Sequence, residues 1–548
     1  MTATSSTLKP EQRVTQLLEE YTAKTASVAQ ILCDRHPTDA IACRVVSDDL
    51  SFEDITYGDL REDSEQLASA FAQLGLKSGD RVATLMGKNR NYLTTVMAIW
   101  RLGAVHVPLF TAFASPAIAM RAEASACKLI VCDASQRQKL LPGDGIPEST
   151  PWKVITTGEA DQEALAFNAV FETGHPGFPA AAVGGSAPMI QIYTSGTTGK
   201  PKGVVVPVSA IASFQIYLEY GLNVTPDEVY WNAADPGWAY GLYYGIIAPL
   251  AAGIRTHLLE AGFDPKLAFD VLAKFQISSF AAAPTVYRAL RASRLPVPKE
   301  VALRFASSAG EPLTPEVNQW AEQELGIQVH DHYGQTETGM TINNHHHSAL
   351  KKPVIPGAMG HALPGWTAAI LKNESNEPAP VGEQGRVAID LPRSPLSWFE
   401  GYKDEPAKSA ERFSEDYRWY LTGDAASVDE DGYFHFASRD DDIIIMAGYR
   451  IGPFEVESVL CTHPAVGECA VVAAPDEVRG EVLETFVVLN PEHSPSEALT
   501  KELQEWVKRR YAAHAYPRKV HYTSSLPKTP SGKVQRFELR KQLRAKSA

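Results

Sequence analysis

The chain has 548 residues, more than one hydrophobic core usually serves, so two or more domains are expected. Hydrophobic residues make up 44% and charged residues 21%, the balance of an ordinary globular protein. A formal net charge of −14 argues against broad nucleic-acid or anionic-membrane binding, and no apolar run approaches the roughly 18 residues of a membrane span.

The charge is unevenly spread. Residues 501–548 hold thirteen Lys or Arg against three Glu, either a solvated helical face or a mobile element that meets an anionic ligand. Six cysteines (Cys33, Cys43, Cys127, Cys132, Cys461, Cys469) lack CxxC spacing, which suits a reduced cytoplasm better than disulfides or zinc. The first twenty residues have no apolar core segment and carry early acids, so neither a signal nor a transit peptide is expected, and the location implied is cytoplasmic.

Along the chain, DRVATLMG, YLTTVMAIWRLG and AVHVPLF read as strand, helix, strand from Asp80 to Phe110. KLIVCDAS repeats the strand signal, as do FQISSFAAAPTVYRALRAS and LRFASSAG around 275–310. Strands spaced by helices of this length imply βαβ units and mostly parallel sheet. HHH at 345–347 lacks carboxylate or cysteine companions and is expected to be a surface loop. From about 420 the pattern changes to two short strands around DEDG, a β-branched run, a helix begun after Pro453, two more strands, a helix over 498–511 and a polar tail. The fold class expected is α/β: a large N-terminal domain of several subdomains over 1–440, then a small mobile α+β domain over 441–548.

Residues 193–203 read YTSGTTGKPKG, just beyond the buried-strand pattern MIQIY, where open α/β sheets bind ligands. Gly196 and Gly199 let backbone amides turn towards an anion, and Thr194, Ser195, Thr197 and Thr198 add hydroxyls beside Lys200. A Walker A loop needs four residues between its glycines and a hydroxyl after its lysine; here two separate them and Pro201 follows Lys200.

This segment resembles the signature loop of the adenylate-forming superfamily, which holds acyl-CoA synthetases, stand-alone adenylation domains and beetle luciferases. YGQTETG (333–339), YLTGD (420–424), SRDDDIIIMAGYRIGPFEVE (438–457) and LPKTPSGKVQR (526–536) match in the expected order, so the resemblance spans essentially the whole chain. It implies a two-step reaction: a carboxylate attacks the α-phosphorus of ATP, giving an acyl-adenylate and pyrophosphate, and a thiol then displaces AMP. Bringing two anions together makes catalysis mostly charge neutralisation and positioning.

Carried over residue by residue, the resemblance places ATP or AMP against Thr194–Lys200, Gly310, Glu311, Pro312, Asp331, Tyr333, Gly334, Gln335 and Thr336. Glu311 and its neighbours would wall the adenine, Tyr333 would offer it a flat face, and Thr336 would meet the α-phosphate. Glu337 would hold Mg²⁺, which favours one or two carboxylates with phosphate oxygens and water. Asp424 would accept from the ribose hydroxyls, with Arg439 beside it; Ser438 stands where the family usually has glycine. Asp441 would be the hinge, and Lys533 would bridge carboxylate and α-phosphate, catalytic together with Thr336 and Arg450. Gly448 and Tyr449 would line the coenzyme A tunnel for thioester formation. Trp238, Tyr240, Gly241 and Tyr243, within VYWNAADPGWAYGLYYGIIAPLAAG (229–253), would wall the acyl pocket, most like medium-chain acyl-CoA synthetases related to acetyl-CoA synthetase. The implied activity is an ATP-dependent carboxylate–CoA ligase for short- or medium-chain fatty or related acids, as monomer or homodimer; the alternative is an adenylation enzyme that loads a carrier protein.

Overall fold

The computed structural model describes residues 8–194, 201–446, 449–476, 480–512, 514–529 and 532–547. Short apolar runs such as LIVC at Leu129–Cys132 are buried along their whole length, as strands covered by helices on both faces must be. Seven such strands form one sheet. Its order runs Ala164–Ala166, Lys153–Thr156, Leu129–Cys132, Arg81–Leu85, Val105–Pro108, Pro188–Thr194, Lys202–Pro207, parallel except for the last pair. The antiparallel hairpin at its edge pairs Thr194 with Lys202, so the two ends of the glycine-rich segment lie side by side.

A second sheet of thirteen strands has a parallel centre: Ile41–Val46, Thr256–Leu259, Tyr230–Asn232, Ser279–Ala282, Phe305–Ala309 and Val329–Gln335. Beyond Val329–Gln335 the strands turn antiparallel, through Gly339–Asn343, Ala358–Ala362, Phe434–Arg439, Trp419–Val428, Gly385–Asp390 and Ala368–Leu371. The fold class is α/β as expected, with parallel strands at the centre of both sheets and an antiparallel half to the large one, whose neighbouring strands need no crossover helix and left no regular strand–helix alternation to read.

Residues from Ile444 to Leu543 build a hydrophobic cluster of their own. Strands Ile444–Met446, Tyr449–Ile451, Val466–Asp476, Gly480–Leu489 and Lys519–Tyr522 form a five-stranded sheet, packed by helices Pro453–Leu460, Glu497–Arg510 and Arg536–Ser547. Ser496 caps the second of these helices by accepting from the Leu499 amide, and Lys508, Arg509 and Arg510 fall in its last turn, where cations suit the helix dipole. The basic tail is helical, with Leu539 and Leu543 buried, each worth about 1.5–3 kcal/mol of apolar burial. The small region closes onto the large one. Phe436 and Phe454 meet edge to face at 5.9 Å, and a Cβ on Gly452 would come within 2.5 Å of the Ala437 carbonyl oxygen.

Candidate active site

The parallel strands of the large sheet all run towards one edge. There, Asn232 leads into ADPGW, Ala309 into Gly310-Glu311-Pro312, and Gln335 into Thr336-Glu337. Gly310 has φ of 98°, a conformation that favours glycine, so the chain turns sharply straight after its strand. The antiparallel hairpin Trp419–Val428/Phe434–Arg439 lies farther along the same sheet and brings Asp424 opposite Arg439.

Asp424 is buried and accepts three hydrogen bonds: from Arg439 at 2.9 Å on Oδ1, and from the Tyr333 hydroxyl at 2.5 Å and Gln335 Nε2 at 2.6 Å on Oδ2. Tyr420 fixes the Gln335 amide by donating to its oxygen at 2.8 Å. Tyr333, Gln335, Asp424 and Arg439 thus form one network across neighbouring strands. Ser438, in the family's glycine position, is buried with its hydroxyl donating to the Arg439 carbonyl, so the substitution is absorbed locally.

Glu337 is also buried. One carboxylate oxygen accepts from the Tyr402 hydroxyl at 2.7 Å, and Arg412 donates to that same hydroxyl at 3.0 Å. Lys202 lies over the Tyr402 ring at 4.8 Å. Burial, then Arg412 and Lys408, push the Lys202 ammonium down from its usual pKa, while Glu337 and Glu411 oppose the shift. Tyr402, Arg412 and Lys202 assemble around Glu337 from segments up to two hundred residues apart in sequence. Tyr402 and Arg412 belong to no motif, and only the proximity of Lys202 to the glycine-rich loop hinted at this cluster.

Thr336 follows its strand, and its carbonyl accepts from the Tyr243 hydroxyl at 3.2 Å. Gly334 is fixed by crowding, since a Cβ there would lie 2.2 Å from the Gly339 carbonyl oxygen. Asp331 sits deeper, buried, with the Leu313 amide donating to it at 3.3 Å; burial pushes its carboxyl up to about 7. Its side chain faces the protein interior.

The aromatic segment divides. Trp238 packs on Phe110 and Phe113 with centroids 5.3 and 5.5 Å away. Tyr243 stacks on Phe214 at 4.2 Å, and the Tyr240 and Tyr217 hydroxyls meet at 3.2 Å. Gly241 touches backbone: a Cβ there would lie 2.2 Å from the Asp235 carbonyl oxygen. Phe110, Phe113, Phe214 and Tyr217 pack against these residues from distant segments whose spacing gave no sign of it. Lys88 and Asp235 were likewise not anticipated. Burial lowers the one pKa and raises the other, and each charge opposes the other's shift.

Lys533 belongs to a tight turn: its amide donates to the Thr529 hydroxyl at 3.0 Å, and the Thr529 amide donates to its carbonyl at 2.7 Å. Lys533 is an exposed residue of the small region. The crowded cleft walls push its ammonium down; Glu311, Asp424 and Glu337 oppose that shift, and Arg439 adds to it. Residues 195–200 and Gly448 lie outside the described residues, so Ser195, Gly196, Thr197, Thr198, Gly199 and Lys200 have no structural account. For Asp441, Tyr449 and Arg450 the described part is the backbone. Asp441 lies in a turn of 3₁₀ helix, and Tyr449 and Arg450 pair with Met446 and Ile445.

The histidine run is not a surface loop. His345 and His346 are buried, and ring nitrogens of His330, His332 and His346 lie within 4.8 Å of one another. The segment passes behind strand Val329–Gln335, where the Asn344 carbonyl accepts from both His330 and His332, and His346 meets the Ala306 carbonyl. Both nitrogens of His332 are engaged, the second by the Tyr217 hydroxyl at 2.6 Å, and His330 stacks flat on His346 with centroids 3.6 Å apart. Parallel stacked rings direct their lone pairs side by side rather than towards one ion, so the cluster reads as a satisfied polar core.

The family model described as AMP-binding enzyme matches residues 30–402, and its C-terminal domain matches 455–533. The chain belongs to the AMP-binding enzyme family. Among its relatives, a mitochondrial acyl-coenzyme A synthetase of Mus musculus is 35% identical over 87% of this chain and 84% of its own length. The acetyl-coenzyme A synthetase of Bacillus subtilis is 33% identical over 89% and 85%. A crystal structure of a Brucella canis acyl-CoA synthetase superimposes with a TM-score of 0.75 at 38% identity, covering 99% of this chain and 98% of that one. A benzoate CoA ligase from Burkholderia xenovorans gives 0.81 at 27% identity, over 96% and 99%. Within the AMP-binding enzymes, this chain falls in the acyl-CoA synthetase branch and is an AMP-forming acid–thiol ligase.

Proposed function

We infer that the protein joins a carboxylic acid to coenzyme A through an acyl-adenylate, cleaving ATP to AMP and pyrophosphate. What supports this reading is the lysine turn: the small region brings Gly532, next to Lys533, against Thr285 and Glu311 of the large one, where an added Cβ would lie 2.9 and 3.5 Å from them, and Glu311, Asp424, Glu337 and Arg439 all act on the Lys533 ammonium. A compact ammonium there is suited to steady the negative charge that grows between the attacking carboxylate and the α-phosphate. Asp424, held by Arg439, Tyr333 and Gln335, offers a fixed carboxylate to the ribose hydroxyls. Trp238, Tyr240 and Tyr243, with Phe214 and Tyr217, wall an acyl pocket for short- or medium-chain or related acids.

Glu337 fits a magnesium ligand. Its carboxylate is buried beside the strand end, and Tyr402 donates to one oxygen, Oε1. Bound there, Mg²⁺ would neutralise phosphate charge, and Tyr402 and Arg412 would orient the carboxylate that holds it. The test is a panel of straight-chain and aryl acids. Pyrophosphate and acyl-CoA should appear together, and only with an acid, ATP and coenzyme A all present. Failure of the whole panel to give either product, or preference for a phosphopantetheinyl protein over free coenzyme A, would overturn this reading.

A further inference from the structure

Glu311 is expected by resemblance to wall the adenine, but its carboxylate is placed for a different task. One oxygen accepts from Arg288 at 2.7 Å, an ion pair largely shielded from solvent. The other is buried and has no hydrogen-bond partner among the described residues. A buried carboxylate oxygen left without a donor is unfavourable and requires a reason. The neighbour supplied by the closing small region is the lysine turn. A Cβ on Gly532 would lie 3.5 Å from this oxygen and 2.9 Å from Thr285, so only the bare glycine backbone brings the next residue, Lys533, this close. Gly532 also has φ of 90°, a second reason for glycine at this point. Of the charges acting on the Lys533 ammonium, Glu311 is the strongest. Arg288, which fixes the carboxylate, in turn faces Glu468 and Cys461 of the small region.

We propose that Glu311 is the positioning residue for Lys533: its unpaired oxygen draws the ammonium into the cleft as the small region closes, and Arg288 holds that oxygen in place. This rests on the acyl-adenylate reading above and assigns Glu311 to the first half-reaction. When the acid and the α-phosphate enter, they compete with Glu311 for the same ammonium. Thioester formation, to which the resemblance assigns Gly448 and Tyr449 instead, does not need that contact.

The test is Glu311→Gln, which preserves volume and an acceptor for Arg288 while removing the charge, measured in the two half-reactions separately. Acid-dependent pyrophosphate release should slow by about ten- to a hundredfold, the effect of losing a charge-assisted contact. The loss should fall on turnover more than on the KM for ATP, and conversion of supplied acyl-adenylate to acyl-CoA should fall by a clearly smaller factor. Arg288→Met should show the same signature more weakly, which guards against a fold defect in the first variant. Equal loss in both half-reactions, a raised KM for ATP with unchanged turnover, or no effect in either variant would overturn the proposal. Wild-type protein that releases no pyrophosphate with any acid would instead overturn the functional reading on which it depends.

Discussion

Asp424→Asn tests whether the carboxylate network holds the nucleotide. The carboxylate now accepts from Arg439 on one oxygen and from Tyr333 and Gln335 on the other. In asparagine one of those positions becomes an NH₂ group, so a donor must face either the Arg439 guanidinium or the Gln335 amide. Each charge-assisted bond is worth about 1.5–3 kcal/mol. The Arg439 partner is one-third exposed while Asp424 is 4% exposed, so solvent screens part of the ion pair and the lower end of that range applies. A loss of about 2 kcal/mol in transition-state binding corresponds to roughly thirtyfold in kcat/KM for ATP. The assay is initial-rate pyrophosphate release against ATP concentration at saturating acid. An Asn variant within about twofold of wild type would refute the reasoning, because the network would then be structural scaffolding without a grip on the nucleotide.

Tyr402→Phe removes the donor from Glu337 and the acceptor from Arg412; turnover should fall about tenfold and the Mg²⁺ requirement should rise, both read from a Mg²⁺ titration at fixed ATP. Gly241→Ala forces a methyl group against the Asp235 carbonyl, so the thermal midpoint should drop by several degrees, the cost being about 1–3 kcal/mol or more. Asp331 titrates near 7 in the folded protein against a usual value of 3.8, so the folded state binds the extra proton between these values and stability falls as pH rises through that window. Asp331→Asn should abolish that fall, with its largest stabilising effect above pH ~7 and little below pH ~4, measured as urea midpoints across the range.

The sequence made the motif residues legible because each motif records a local turn at a strand end. Thr336 and Glu337 follow a buried strand, Asp424 lies in one arm of a hairpin, and Gly532 supplies a left-handed turn before Lys533. All of these have signatures within a few residues. Contacts across the sheet have no such signature. Tyr402 reaches Glu337 from 65 residues away and the Tyr333 hydroxyl reaches Asp424 from 91, and neither spacing has a period that sequence can display. The antiparallel half of the large sheet was hidden for a similar reason, since its turn-linked strands lack the helix spacing that marked the parallel half. HHH misled because three polar residues read as surface when carbonyls from neighbouring strands are not foreseen. The docking of the tail helix was hidden because its basic residues outnumber the two leucines that bury it.

Adenylation requires Lys533 to reach the large region's substrates from the small region. Lys533→Ala should be assayed for acid-dependent pyrophosphate release and, separately, for conversion of supplied acyl-adenylate and coenzyme A to acyl-CoA. The expected result is near-complete loss of the first with the second preserved; loss of neither, or equal loss of both, would contradict it.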